Sequence, residues 1–261
     1  MVCDKLKRKY YKMSVLEHLP PIYYINLDRC EDRRLHMEKM LSSYGLQGTR
    51  IQATDGSKPV DHLVDVMPVR LRPNEIACTI SHLRAIQTWL TTSDSDTALI
   101  CEDDLSFETV EHWPFNWTHL IQRLPYYWEI VQLCIIYHPK QEIHVNLHSR
   151  TTYDFSAACY MMKRSYAQRL MSYYWNAATS RWKLDYPLSV GLTSEEAVYR
   201  PGACLSIPLF TFTNEHGSSI QTAEHVETYH AFSKRVVMSM WKQLKQSGLD
   251  ILNTFPPILY K

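Results

Sequence analysis

Apolar and polar positions divide the chain into short apolar runs alternating with amphipathic segments. Ile22-Tyr23-Tyr24-Ile25-Asn26-Leu27, after Pro20-Pro21, is rich in β-branched and aromatic residues and predicts a first strand. Asp28 to Tyr44 places Met37, Met40, Leu41 and Tyr44 at helical spacing with Gly45 just beyond, which predicts an amphipathic helix closed by glycine. Arg50 to Ala53 reads as a second strand running into the turn Thr54-Asp55-Gly56. A longer helix starts at Pro73-Asn74-Glu75 and buries Ile76, Ile80, Leu83, Ile86 and Leu90. Thr97 to Cys101 is then a strand whose unbroken apolar run suits burial on both faces. Such alternation predicts an α/β sheet. It continues through strands at Glu129 to Tyr137 and Ser156 to Met162, a helix showing Leu170, Met171 and Tyr174, and a loop-rich stretch from Trp182 to Tyr199. A last strand, Leu205 to Phe212, and a polar turn precede a helix capped by Thr222, carrying Val226, Tyr229, Phe232, Val236, Met240 and Leu244 on one face and ended by Gly248. With no repeat and no dividing linker, one main domain is expected.

The chemistry concentrates where the strand from Thr97 runs into Glu102-Asp103-Asp104. Ligands of open α/β sheets sit beyond the carboxyl ends of strands. Adjacent carboxylates repel unless a cation or basic side chains share the site, and oxygen ligands suit Mg²⁺ or Mn²⁺. The plain alternative is a solvated acidic turn. Asp28, Arg29, Asp32, Arg33 and Arg34 cluster where the first strand gives way to a helix. Arginines there can pair with a diphosphate, or form surface salt bridges. Asp55 can accept from a ribose or base, and Ser81-His82 can line a cleft, although a lone helical His is more often structural.

Composition narrows the field. Basic and acidic residues number 28 and 27, so no strong field favours nucleic acid or an anionic membrane, and neither partner is implied. The 7 cysteines are odd in number and widely spaced without a C-x-x-C pair, which predicts free buried thiols in a reducing compartment and a cytoplasmic location. No stretch has the length of a transmembrane span. Only 7 glycines are present, and they assemble neither a dinucleotide-binding nor a P-loop fingerprint, so a bound diphosphate would need neutralising by metal and side chains. Cys134, His138, His144 and His148 have a spacing that invites zinc, but no second cysteine or closed ligand set accompanies them, and His144 and His148 are expected to be exposed loop residues.

Three stretches together resemble glycosyltransferase family 25, which includes lipooligosaccharide and collagen hydroxylysine galactosyltransferases. They are Tyr24-Ile25-Asn26-Leu27-Asp28-Arg29 with Asp32-Arg33-Arg34, Asn74-Glu75-Ile76-Ala77-Cys78 with Ser81-His82, and Cys101-Glu102-Asp103-Asp104-Leu105. A fourth segment, Ser194-Glu195-Glu196, resembles the family's Val-Asp-Glu type with Glu in place of Asp. The resemblance implies a single-domain A-type glycosyltransferase fold, a Rossmann-like mixed sheet flanked by helices. Its boundaries would be a basic extension over 1–20, a transferase domain over 21–248 and a tail over 249–261.

The activity implied is inverting transfer of a hexose, galactose or glucose, from a UDP-sugar to a hydroxyl of a glycan or hydroxylysine-type acceptor. Mn²⁺ (or Mg²⁺) would be held by Glu102 and Asp104, with His216 as an extra ligand. Asn26, Leu27 and Asp55 would face the nucleoside, and Arg33, Arg34, Ser81, His82 and Asp103 would complete the donor site. Glu195 or Glu196 would be the base; adjacent residues of a strand-like segment face opposite ways, and alignment favours Glu195. A homodimer is a possible assembly. Readings from other classes are a metal-dependent phosphohydrolase and an inactive, transferase-like binding protein.

Overall fold

The computed structural model describes residues 14–68, 70–184, 193–213, 224, 226–247, 251–252 and 259–260. Strands are β1 (Ile22–Asn26), β2 (Gly48–Gln52), β3 (Thr97–Glu102), β4 (Leu105–Ser106), β5 (Ile130–Cys134), β6 (Ile143–His144), β7 (His148–Ser149), β8 (Cys159–Lys163), β9 (Trp175–Asn176), β10 (Arg181–Trp182), β11 (Cys204–Phe212) and β12 (Leu259–Tyr260). The α-helices are α1 (Glu31–Ser43), α2 (Pro73–Thr92), α3 (Trp117–Arg123), α4 (Arg164–Tyr174), α5 (Ser194–Tyr199) and α6 (Ala231–Ser247).

One mixed sheet of 8 strands runs in the order β2-β1-β3-β8-β5-β11-β4, with β7 also paired to β11. β1, β2 and β3 are mutually parallel, β8 is antiparallel to β3 and β5, and β11 is parallel to β5. This is the expected Rossmann-like mixed α/β sheet in a single layered body. Successive strand residues alternate between two cores, because side chains on a strand point to opposite faces. Ile22, Tyr24, Leu99, Cys101, Cys159 and Met161 join the face covered by α1 and α6. Tyr23, Ile25, Ala98, Ile100, Tyr160 and Met162 join the face covered by α2, α4 and α5. Burial on both sides explains why β3 reads as an unbroken apolar run.

Helix starts follow local chemistry. At α2, Pro73 occupies the first turn and the Glu75 carboxylate accepts the Arg72 backbone N–H at 2.7 Å. Asn116 caps α3 by accepting the His119 N–H at 2.8 Å. The turn after β2 packs directly on the start of α2, where a Cβ on Gly56 would lie 2.6 Å from the Asn74 Cα; only glycine allows that approach.

Several expectations are corrected. Val15 and Leu16, within the stretch read as a solvated extension, are buried in the α1/α6 core. Glu195 and Glu196 lie in the first turn of α5, not in a strand-like segment, because Thr193 and Glu196 form a capping box. His148 is fully buried and His144 half-buried, not exposed. His216, Thr222 and Gly248 lie outside the described residues. Among those described, Cys101, Cys134 and Cys159 are free and buried as anticipated, while Cys30, Cys78 and Cys204 are partly accessible.

The corner before β8 is held by one buried amide. The Gln132 Nε2 group lies 3.1, 3.0 and 2.8 Å from the carbonyls of Asp154, Phe155 and Ser156, while Gln132 Oε1 accepts from Ser206 and Arg150. Ser156 sits there with φ of 98°, a conformation that a non-glycine residue keeps only when its surroundings enforce it. Replacing Gln132 by Leu leaves these buried polar groups unmatched. Gln132→Leu is expected to lower the unfolding free energy by about 1–3 kcal/mol, measured by urea denaturation.

Candidate active site

The carboxyl ends of β1 and β3 lie side by side, with Ile25 in register with Glu102. The acidic triplet therefore emerges beside the β1–α1 junction. Arg33, on the first turn of α1, reaches under it: its Nη2 lies 2.5 Å from Asp103 Oδ1 and 3.0 Å from Asp104 Oδ2. Asn26 Nδ2 donates to Asp103 Oδ2 at 2.6 Å and to the Cys30 carbonyl at 3.0 Å, and Asn26 Oδ1 accepts from Arg50 Nε at 2.9 Å. Both Asp103 oxygens are thus engaged by the protein. Asp104 Oδ1 is buried without a hydrogen-bond partner. His82 on α2 closes the third side, with Nε2 3.3 Å from Glu102 Oε1 and Nδ1 3.1 Å from the Tyr160 hydroxyl.

Electrostatics separate the three acids. Burial resists charge on Glu102, but the His82 hydrogen bond and the nearby positive groups prevail and lower its pKa. Burial raises that of Asp103 despite the opposing pull of Arg33. Asp104 is pushed up to about 7 by burial, with Glu102 and Asp103 adding repulsion that Arg33 only partly offsets. Burial also disfavours the charge on Arg33, yet Asp104 and Asp103 outweigh it and raise its pKa. Three carboxylates facing one guanidinium form a donor set short of positive charge, and the orphaned Asp104 oxygen lies within it. A hard divalent cation would fit both features, and Glu102 and Asp104 are the residues that could hold it.

Two cavities meet at this triplet. The first is lined by Leu27, Arg29, Arg33, Thr54, Gly56, Asn74, Ser81, His82, Glu102 and Asp103, among others. The second, of about 240 Å³, is lined by Glu102, Asp104, Ser156, Glu195, Phe212 and His230, among others. Glu102 and Cys78 belong to both walls. Glu195 enters the second cavity from α5 and accepts a hydrogen bond from the Ser156 N–H. Burial raises its pKa, with the Ser156 bond and Arg150 opposing. Glu196 points the other way: its carboxylate accepts the Thr193 N–H at 3.1 Å and caps α5 from an exposed position.

The remaining sequence candidates divide cleanly. Leu27, Ser81 and His82 line the first cavity, and the Ser81 hydroxyl is itself committed to the Thr54 N–H and the Ala77 carbonyl. Asn26 does not face a cleft; it is 1% exposed and works beneath the site. Arg34 stands apart, paired with Glu31 at 2.7 Å on the surface. Asp55 lies in an adjoining groove, where Arg29 holds it at 2.5 Å and lowers its pKa to about 2. Arg29, one of the arginines read as able to pair with a diphosphate, lines the first cavity, as does Asn74 from within the second motif; nothing near Ser156 in the sequence marks it.

Residues 19–186 match glycosyltransferase family 25 (LPS biosynthesis protein). A Glycosyltransferase 25 family member of Drosophila pseudoobscura pseudoobscura is 32% identical over 103 residues, an alignment covering 34% of this chain. The chain spans 16% of the length of that relative. Among solved structures, A197 from STIV aligns with a TM-score of 0.45 at 9% identity over 78% of this chain and 100% of that one. The inositol-1-phosphate CTP transferase from T. maritima aligns at 0.33 and 11% identity, over 84% and 76% of the two chains.

The raised pKa of Asp104 has a signed consequence. Its folded value of about 7 lies above the unfolded value of about 3.9, so the folded state holds the proton more tightly between them. Ionised Asp104 therefore opposes folding fully above that window, and the opposition fades as pH falls through it. In metal-free buffer, Asp104→Asn is expected to raise the melting temperature above that of the wild type at about pH 8, with the gain shrinking towards about pH 4. A gain independent of pH would contradict the assignment.

Proposed function

Since the chain belongs to glycosyltransferase family 25, we propose that it transfers a hexose, galactose or glucose, from a UDP-sugar to a hydroxyl of a glycan or hydroxylysine-type acceptor with inversion. The observation that carries this reading is the pair of cavities sharing Glu102, one lined by cationic and hydroxyl groups, the other holding the half-buried carboxylate of Glu195. The first suits a nucleoside diphosphate. Leu27 offers an apolar surface, and Arg29 and Arg33 line the cavity already paired with Asp55 and with Asp103 and Asp104, which leaves the net charge for a diphosphate to a bound cation. Asp55, in the adjoining groove, is the acceptor group nearest the nucleoside side. Asn26 and Asp103 act from below by fixing Arg33. Arg34 contributes only at long range.

A divalent cation, Mn²⁺ or Mg²⁺, held by Glu102 and Asp104 with His216 as a further ligand, would supply the positive charge that a departing diphosphate needs. The other steps belong to the side chains. An acceptor hydroxyl in the second cavity forms its new bond to the anomeric carbon as the bond to the UDP oxygen breaks, and UDP leaves with that electron pair. The hydroxyl proton passes to the Glu195 carboxylate. Burial raises the Glu195 pKa, which makes the carboxylate a better proton acceptor, and the Ser156 N–H fixes its aim. Glu196 is occupied as the helix cap and is not the base.

Binding and turnover test this separately. Glu195→Gln is expected to retain the Mn²⁺-dependent thermal shift produced by UDP while transfer to acceptor falls about 10²- to 10⁴-fold. Undiminished turnover, or a product of retained configuration, contradicts the role of Glu195. Asp104→Asn is expected to abolish the Mn²⁺-dependent part of UDP binding; wild-type metal dependence in that variant removes the cation from Asp104. Hydrolysis of the UDP-sugar without sugar reaching any acceptor would point instead to a phosphohydrolase.

A further inference from the structure

Beside Leu205 and Ser206 of β11, at the end remote from β4, the segment between β5 and β8 places three potential metal ligands together. His144 ends β6, His148 begins β7, and Asp154 lies in the turn before β8. One ligand atom from each lies within 4.8 Å of the others. His148 and Asp154 are 0% and 2% exposed, and His144 is half-buried at the edge of a cavity of about 720 Å³ that Asp154 also lines.

The hydrogen bonds define what this cluster can bind. His148 Nδ1 lies 2.7 Å from the Asn146 carbonyl oxygen, which can only accept, so the proton of a neutral ring sits on Nδ1. The lone pair on Nε2 then faces the Asp154 carboxylate, at 3.5 Å from Oδ1 and 3.4 Å from Oδ2. Two electron-pair donors face one another in a buried site, which calls for a cation between or beside them. A proton is one answer and would make His148 an imidazolium; at 3.4 Å, however, the contact is long for a charged hydrogen bond, which falls at about 2.7–2.9 Å. A metal is the other. A tetrahedral ion with bonds of about 2.0–2.1 Å holds its ligand atoms about 3.3–3.4 Å apart, matching this separation.

The surroundings agree with the second answer. A metal-bound imidazole ordinarily donates its other N–H to a carbonyl or carboxylate, as His148 does. Asp154 Oδ2 accepts the Thr151 N–H at 2.6 Å, which orients the carboxylate. The His144 ring stands edge-on to His148 with centroids 4.8 Å apart, and its half-exposed side chain can turn to complete the set.

We propose that His144, His148 and Asp154 form a second metal site, for a transition-metal ion of zinc type, with water from the adjoining cavity as the fourth ligand. The ion braces the segment between β5 and β8, whose β6 and β7 pair with β12 and β11 and not with each other. Its reach extends to the cleft, because Gln132 bonds the Asp154 and Ser156 carbonyls together and Ser156 holds Glu195. The site itself does not depend on the transferase reading.

The test uses the full chain without an affinity tag, carrying Glu102→Gln and Asp104→Asn so that the acidic triplet takes no metal. After equilibrium dialysis against Zn²⁺, about one zinc per chain is expected by elemental analysis. Co²⁺ in its place should give the intense visible bands of a tetrahedral centre with nitrogen and oxygen ligands. His144→Ala, which alters a half-exposed side chain, and Asp154→Asn should each weaken Zn²⁺ binding by about tenfold or more, with circular dichroism confirming that they remain folded. Failure of the parent chain to retain zinc overturns the proposal. Undiminished zinc in both variants, an octahedral Co²⁺ spectrum, or a His148 that titrates as an imidazolium with zinc present does the same.

Discussion

The charge imbalance under the acidic triplet is the constraint on which the rest of the site depends. Arg33 is withdrawn from water between Asp103 and Asp104, with 7% of its surface exposed. A buried guanidinium in that position requires carboxylates, and buried carboxylates require it; removing either partner leaves an uncompensated charge. The geometry that satisfies both is strict. β1 and β3 must be adjacent and parallel so that their ends coincide, α1 must begin within a few residues of β1, and Asn26 must turn inward to hold Asp103. One arginine cannot neutralise three acids, so the surplus negative charge is collected at Asp104 and Glu102, facing the cavities.

Much of this was readable in the sequence because it follows from periodicity. The apolar run of β3, the heptad-like stripe of α2 and the position of the triplet at a strand end are local properties, and the structure reproduces them within a few residues. The three motifs near Asn26, Asn74 and Asp103 converge because the parallel order β2-β1-β3, with α2 packed on it, brings them to one sheet edge. What was not readable depends on direction. Arg33 and Arg34 look equivalent in a list of residues, yet on a helix they diverge by about 100°, and one enters the site while the other meets Glu31 at the surface. Glu195 and Glu196 face different ways, but a capping box, not strand alternation, sends them apart. The burial of His148 was invisible because it comes from pairing with β11, more than fifty residues later in the chain.

The corner at Ser156 shows how a stable scaffold can aim a reactive group. Its left-handed backbone is energetically unfavourable, and it is enforced by the Gln132 amide and by the Tyr199 hydroxyl, which donates to the Ser156 carbonyl at 3.1 Å. Arg150 lies 4.5 Å from the centre of the Tyr199 ring and also donates to the Asp154 carbonyl at 2.8 Å, so the same few side chains hold the corner from both sides. Gln132 also holds the Phe155 carbonyl, which shares a peptide plane with the Ser156 N–H, and that N–H points at Glu195. The direction of that carboxylate is therefore set by residues distributed over β5, the turn before β8 and α5, and not by α5 alone.

Glu102 and Cys78 stand as the common wall of two chambers, and a wall two side chains wide does not insulate. Charge entering one chamber shifts the electrostatic potential in the other at close range and away from bulk screening. The coupling between the two occupants is reciprocal: whatever the first does to the affinity of the second, the second does to the first. A single molecule reaching past Glu102 into both chambers would gain the affinity of each and forgo the entropy of assembling two.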